Sequence, residues 1–215
     1  MPRTKKSAAP LPRAKNRQEA EERLLKAAEL VFSQHGFNGA TTRMIAAEAE
    51  LNISLITRYF GSKYGLLLRI VAAKRRRLFD SLLPYQPQES LTEECVRYAL
   101  FRFEQLSESV GFIRILFTQF LTDPTFLKLY QESQFSMLLQ NSELTQRVEK
   151  LISSGRSSIQ LCPHRLIEIL EQHIMGIIVL QMVIKGQPVE ELRVDLIDFV
   201  RTLMKGSDCV EMFKP

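Results

Sequence analysis

Between Thr41 and Lys63 the chain reads Thr-Thr-Arg-Met-Ile-Ala-Ala-Glu-Ala-Glu-Leu-Asn-Ile-Ser-Leu-Ile-Thr-Arg-Tyr-Phe-Gly-Ser-Lys, and no other stretch limits the fold so tightly. Thr41 is suited to cap a helix in which Ile45, Ala46 and Ala49 face inward. Glu50-Leu51 makes a tight turn. Asn52 is placed to cap a third helix over residues 53–60, and Gly61-Ser62 breaks it. That third helix buries only a narrow stripe, Ile56 and Phe60 against Leu51. Ile53, Ser54, Leu55, Thr57 and Arg58 are left outward. Two short helices joined in this way, the second with a small, polar and basic outer face, form the pattern of a helix that lies in a DNA groove.

The flanking sequence is helical as well. Residues 18–35 place Leu24, Ala28, Val31 and Phe32 at amphipathic spacing. His35 suits the negative helix end, and Gly36 supplies a positive-φ stop. A fourth helix runs from near Lys63 to about Leu83, where Pro84 stops it. Leu91–Ser107 and Val110–Leu121 are further helices, and Asp123-Pro124 opens another that extends to Ser153 with a bend near Asn141-Ser142. Pro163–Lys185 and Pro188–Lys205 form a final pair, each led by proline and followed by glycine. No strand alternation or internal repeat interrupts the series. The expectation is an all-α fold of about nine helices: a basic arm at residues 1–17, a three-helix DNA-binding domain at 18–63, a larger helical domain at 64–205 and a tail at 206–215.

Charge separates the two ends. Residues 1–80 carry 16 Lys and Arg against 7 Asp and Glu, whereas residues 81–215 carry 13 against 17. An electropositive N-terminal end points to a polyanionic partner. The basic N-terminus lacks the apolar core of a secretion signal, and no apolar run reaches the roughly 20 residues of a membrane span, so a cytoplasmic location is expected. The three cysteines are far apart and include no CxxC pair, which argues against a disulfide framework or zinc site. The chain has no Gly-rich phosphate loop, GxSxG or HExxH motif and no paired carboxylates, and its three histidines are well separated. An enzyme, a metal site and a resident cofactor are therefore not expected.

The residues suggest how duplex DNA would be held. Thr41 and Thr42 can donate hydroxyls to phosphate beside the free amides of the second helix. Lys63 offers a point charge, Tyr59 a phenolic hydroxyl, and Arg43 reaches backbone or base. Arg58 is the best base reader because guanidinium can grip guanine through two hydrogen bonds. Ser54 and Thr57 permit close approach, and Ile53 or Leu55 can meet thymine methyls. Lys15 and Arg17 of the arm are placed to enter the flanking minor groove or simply to add counterion release. Lys74-Arg75-Arg76-Arg77 spreads around a helix and forms no single patch.

Ala27-Ala28-Glu29-Leu30-Val31-Phe32, Gly36-Phe37, Thr41-Thr42-Arg43-Met44-Ile45-Ala46, Tyr59-Phe60, Ser62-Lys63 and Leu66-Leu67 together resemble the DNA-binding domain of the tetracycline-repressor (TetR) family. The resemblance covers about the first third of the chain. It departs at Glu50, where the family's turn usually carries glycine and a left-handed backbone costs about 1 kcal/mol, and at the apolar Ile53 and Leu55.

The resemblance implies a larger helical domain with a small-molecule effector pocket within residues 64–185. Phe101, Phe112, Phe117, Phe120, Met137, Gln172, His173 and Met175 are candidate lining, and the scarcity of charge there favours a large hydrophobic ligand. It also implies a homodimer. Leu166, Leu170, Ile174, Ile177 and Ile178, with Leu192, Leu196, Phe199 and Leu203, are candidate interface positions on the last two helices, and a dimer would read a palindromic operator. The expected function is a transcriptional regulator, a repressor released by its effector. The alternatives are an architectural DNA-binding protein without effector and a membrane-surface helical module.

Overall fold

A computed structural model describes residues 13–79, 82–133, 142–154, 159 and 161–205. The described residues are all-helical, without strands. The order is α1 (Arg13–Gly39), α2 (Thr42–Glu48), α3 (Ser54–Phe60), α4 (Lys63–Phe79), α5 (Leu91–Ser107), α6 (Val110–Thr122), α7 (Pro124–Glu132), α8 (Ser142–Ser153), α9 (Pro163–Ile184) and α10 (Val189–Lys205). Among the described residues, ten helices thus stand where about nine were expected, because α7 ends at Glu132 and α8 begins at Ser142. The chain divides into two compact units, residues 1–71 and 72–215. The division falls within α4, not at its start as the sequence suggested.

In the first unit, α1 packs on α2 through Leu24, Ala27, Ala28, Val31 and Phe32, all buried, opposite Ile45, Ala46 and Ala49. Gly36 interrupts α1 with φ 66°, as its position predicted. The N-terminal end differs from expectation. Helix α1 begins at Arg13, so Lys15 and Arg17 stand on a helix rather than an arm; residues 1–12 lie outside the described residues.

The second unit is organised around α5, which contacts α8, α9 and α10. Cys95, Tyr98, Ala99 and Phe103 of α5 are wholly buried, together with Leu144 and Val148 of α8 and Leu192 and Val200 of α10. Ser90 caps α5 by accepting the Glu93 amide, and Asp123 caps α7 by accepting from Thr125 and Phe126. Burial and the nearby Glu94 charge push the Cys95 thiol up to about 12, leaving it an inert apolar group.

Helix α9 continues from Gly176 through a π-helical segment, Ile177–Ile184. Its 22 residues from Pro163 are long and apolar enough to cross a membrane, which the residue-by-residue reading did not anticipate. Its Leu166, Ile167, Leu170, Ile174 and Ile178 are spent on this unit's own core.

Three charged side chains strap the connector between α4 and α5. Glu143 accepts from the Leu83 amide at 2.7 Å, Glu94 accepts from the Gln88 amide at 2.7 Å, and Arg147 donates to the Tyr85 carbonyl at 3.0 Å. Leu82 and Leu83 therefore lie in the connector rather than at the end of α4, which stops at Phe79. A second buried polar cluster joins α5 to α9. Arg102 donates to both oxygens of Glu171, at 2.8 and 3.1 Å, and the Tyr98 hydroxyl donates to the same carboxylate.

Candidate nucleic-acid interface

The site is built from local hydrogen bonds. The Thr41 hydroxyl oxygen accepts from the Met44 amide at 3.2 Å and starts α2. At the other end Leu51 donates to the Ala46 carbonyl and Glu50 to the Ala47 carbonyl, both at 3.0 Å. That pair of bonds is the Schellman closure, which requires a left-handed residue at the position Glu50 occupies. Glu50 has φ 52° and is the only non-glycine with positive φ among the described residues. Asn52 Oδ1 then accepts from the Ser54 amide at 2.9 Å and opens α3. Gly61, at φ 75°, ends α3, and the Ser62 hydroxyl accepts from Gly65 to start α4.

Helix α3 is held by one deep anchor. Ile56 is 1% exposed, the only buried residue of this helix. Phe60 and Leu55 are half-buried, whereas Ser54, Thr57 and Arg58 are exposed. Those three are spaced i, i+3 and i+4 and so share one face. Ile53, just before the helix, is 44% exposed. At the start of α2, Thr41 and Arg43 are exposed and Thr42 is half-buried.

Two expected DNA-binding residues, Lys63 and Arg17, have structural partners in the free chain. Lys63 Nζ donates to the Phe37 and Ala40 carbonyls at 2.8 and 2.9 Å and stands 4.3 Å from the centre of the Phe37 ring. Burial holds its pKa below the ordinary lysine value. Lys63 thereby ties the start of α4 to the turn before α2. Arg17 donates to Glu21 at 2.7 Å, and its guanidinium lies 5.2 Å from the centre of the half-buried Tyr59 ring. It flanks α3 from α1 rather than from an arm. Lys15 is on α1, but its side chain is outside the described residues.

Two residues that the sequence reading passed over help to set the geometry. Arg23 donates to the Ala49 carbonyl at 2.6 Å, satisfying the C-terminal end of α2 from α1. The partner is 26 residues away, so no local pattern announces it. At Gly65 a Cβ would collide with the Phe60 carbonyl oxygen, so only glycine fits there. A glycine three residues after a capping serine was the available signal.

In the second unit, the expected pocket residues that the structure describes have the following neighbours. Phe101 packs edge-on to Tyr85 with ring centres 6.2 Å apart, and Phe112 faces the Lys74 ammonium. Phe117 meets Phe120, which stacks on Phe126. Gln172 is exposed and donates to Glu168, and His173 stacks on Phe199 with ring centres 3.3 Å apart. Met175 packs against the core. Met137 lies outside the described residues.

The expected interface stripe is also revised. Leu166, Leu170, Ile174, Ile177, Ile178, Leu192 and Leu196 are buried within a single chain, while Phe199 and Leu203 are half-buried against the same core. The seven buried side chains belong to this chain's own core, while Phe199 and Leu203 keep part of their surface exposed. The exposed apolar side chains of these helices are Leu180, Ile184 and Val194, at 55, 69 and 59%.

A capped α2, a left-handed turn and an α3 anchored by one residue with a polar outer face define a helix-turn-helix DNA-binding domain. Residues 24–70 match the model of the bacterial regulatory proteins of the tetR family. The HTH-type transcriptional dual regulator CecR of Shigella flexneri is 51% identical over 51 residues, which are 24% of this chain and only 22% of the length of CecR. In overall fold the chain is similar to GusR of Salmonella enterica, with a TM-score of 0.63 at 14% identity over 86% of this chain and 95% of that one. It is also similar to a TetR family transcriptional regulator from Pseudomonas syringae pv. tomato, with a TM-score of 0.60 at 17% identity over 87% and 95%. Over residues 24–70 the chain thus carries a DNA-binding domain similar to that of the tetR family of transcriptional regulators, and the solved structures share its helical fold.

Proposed function

We propose that this chain is a ligand-released transcriptional repressor that binds a palindromic operator as a homodimer in the cytoplasm. The observation that carries the DNA reading is the exposed Ser54, Thr57 and Arg58 face of α3, standing over the buried Ile56. Arg58 reads a guanine, Ser54 and Thr57 make close contacts, and Ile53 or Leu55 meets a thymine methyl. Thr41, Thr42, Arg43 and Tyr59 position the helix on phosphates, and the surplus of positive charge adds counterion release.

One α3 reads too few base pairs for a specific site, so two copies on a two-fold axis are needed. Leu180 and Ile184 of α9 with Val194 of α10 supply the apolar surface for that contact. An effector in the second unit favours one spacing of the two recognition helices over another, and so weakens operator affinity. Selection of bound sequences from a random DNA pool tests this reading. It predicts two inverted half-sites about 34–36 Å apart. Binding without sequence preference at physiological salt contradicts it.

A further inference from the structure

We infer that Glu21 is a positioning residue for DNA binding: it holds the Arg17 guanidinium against the Tyr59 ring, so that the outer fork of Arg17 and the Tyr59 hydroxyl grip one backbone phosphate. This role rests on α3 being the helix that enters the groove.

Arg17 Nε donates to Glu21 Oε1 at 2.7 Å, and the guanidinium carbon lies 5.2 Å from the centre of the Tyr59 ring. That distance is within reach of a cation–π contact. Glu21 takes only Nε. The two Nη groups of Arg17 and the Tyr59 hydroxyl make no hydrogen bond to a described residue. The Nη edge of the fork is the part that matches a phosphate. Tyr59 follows Arg58 in α3 and so lies about 100° round the helix from it. These donors thus flank the exposed face of Ser54, Thr57 and Arg58. A helix in the major groove meets the sugar–phosphate backbone along its flanks.

Glu21 is the fixed member of the pair. Its side chain is 20% exposed, against 63% for that of Arg17. As a device for stabilising α1 the pair is poorly built. An exposed i, i+4 pair contributes little, and less with the basic residue first. A carboxylate beside the phosphate backbone also lowers affinity by repulsion. What the pair supplies is orientation: a planar guanidinium held in one place before the duplex arrives.

The two effects of Glu21 on affinity have opposite signs. Removing a negative charge that faces a polyanion strengthens binding, whereas releasing Arg17 weakens it. The full chain is titrated, over a series of salt concentrations, with the duplex that the parent selects from a random pool. Glu21→Gln is expected to weaken binding by about fivefold, with an unchanged helical circular-dichroism spectrum. Its salt dependence should become shallower by up to about 0.9 in the log–log slope, the share of one phosphate. Glu22→Gln removes the same charge one residue on, from a carboxylate bonded to Gln18, and is expected to bind at least as tightly as the parent. Arg17→Gln loses the same phosphate, so adding Glu21→Gln to it weakens binding no further. Parent-like or tighter binding by Glu21→Gln, an unchanged salt slope, or a further loss in the double variant overturns the positioning role. If Arg58→Ala still loses base preference, the reading of α3 stands without it. Failure of the parent to select any duplex overturns both.

Discussion

Glu50 illustrates how a single position shapes the domain. Its φ of 52° is demanded by the hydrogen bonds that close α2, yet its side chain is the wrong kind for that backbone. Its one cross-helix partner, Arg23 at 3.4 Å, is an exposed contact worth little. Glu50→Gly should therefore stabilise the first unit by about 1 kcal/mol, and Glu50→Ala should not. Urea unfolding of both variants checks this; equal effects would show that the turn carries no strain. This strain was legible in the sequence because the turn is local: two capping residues and a helix period fix its register. Lys63 shows the limit. Its charge suggested a phosphate ligand, but its partners are the Phe37 and Ala40 carbonyls, more than 20 residues away. Only packing brings them together.

The helices of the second unit depend on two buried polar clusters. Arg102 and Glu171 lock α5 to α9, with Arg102 1% exposed. Burial works against the Arg102 charge, but Glu171 more than offsets it and raises its pKa. Removing one partner leaves an uncompensated buried charge. Arg102→Met should cost about 3–5 kcal/mol, and the triple variant Arg102→Met, Glu171→Leu, Tyr98→Phe should recover most of that loss. Thermal unfolding of the two proteins decides; a triple variant as unstable as the single one contradicts this reading. The connector strap has a pH signature. The Leu83 amide, then Arg147, hold Glu143 below its ordinary value. A depressed carboxylate stabilises the fold above its unfolded pKa, near 4.5, and the contribution fades as pH falls through the lower folded value. Glu143→Gln should flatten the stability profile in that acid window, while the wild type keeps the slope. Stability measured by urea titration at stepped pH would show it. Neither cluster could be foreseen: a glutamate on an amphipathic helix reads as solvated until its arginine is found.

Across the whole molecule, sequence period and three-dimensional burial answer different questions. The apolar stripes of α9 and α10 identified inward-facing residues correctly, but not which surface would cover them. Leu166, Leu170 and Leu192 are fully claimed by one chain. Leu180, Ile184 and Val194 stay exposed, and nothing in the periodic pattern distinguished them. Leu180→Glu combined with Ile184→Glu should convert a dimer to a monomer in analytical ultracentrifugation and weaken binding to the full operator far more than to a half-site. A variant that still sediments as the parent does would place the interface elsewhere. The α2–α3 region needed no such help, since its caps and turn are consecutive in the chain.

The central claim is that the outer face of α3 reads base pairs, and Arg58→Ala tests it most directly. Selection from a random DNA pool, run in parallel for the parent and the variant, gives the preference at every operator position. The account predicts that Arg58→Ala loses preference for guanine at one position in each half-site and weakens binding to the parent operator by about 1–3 kcal/mol per contact, with the other positions still specified. An unchanged profile and affinity for Arg58→Ala, also when combined with Thr57→Ala, would contradict it.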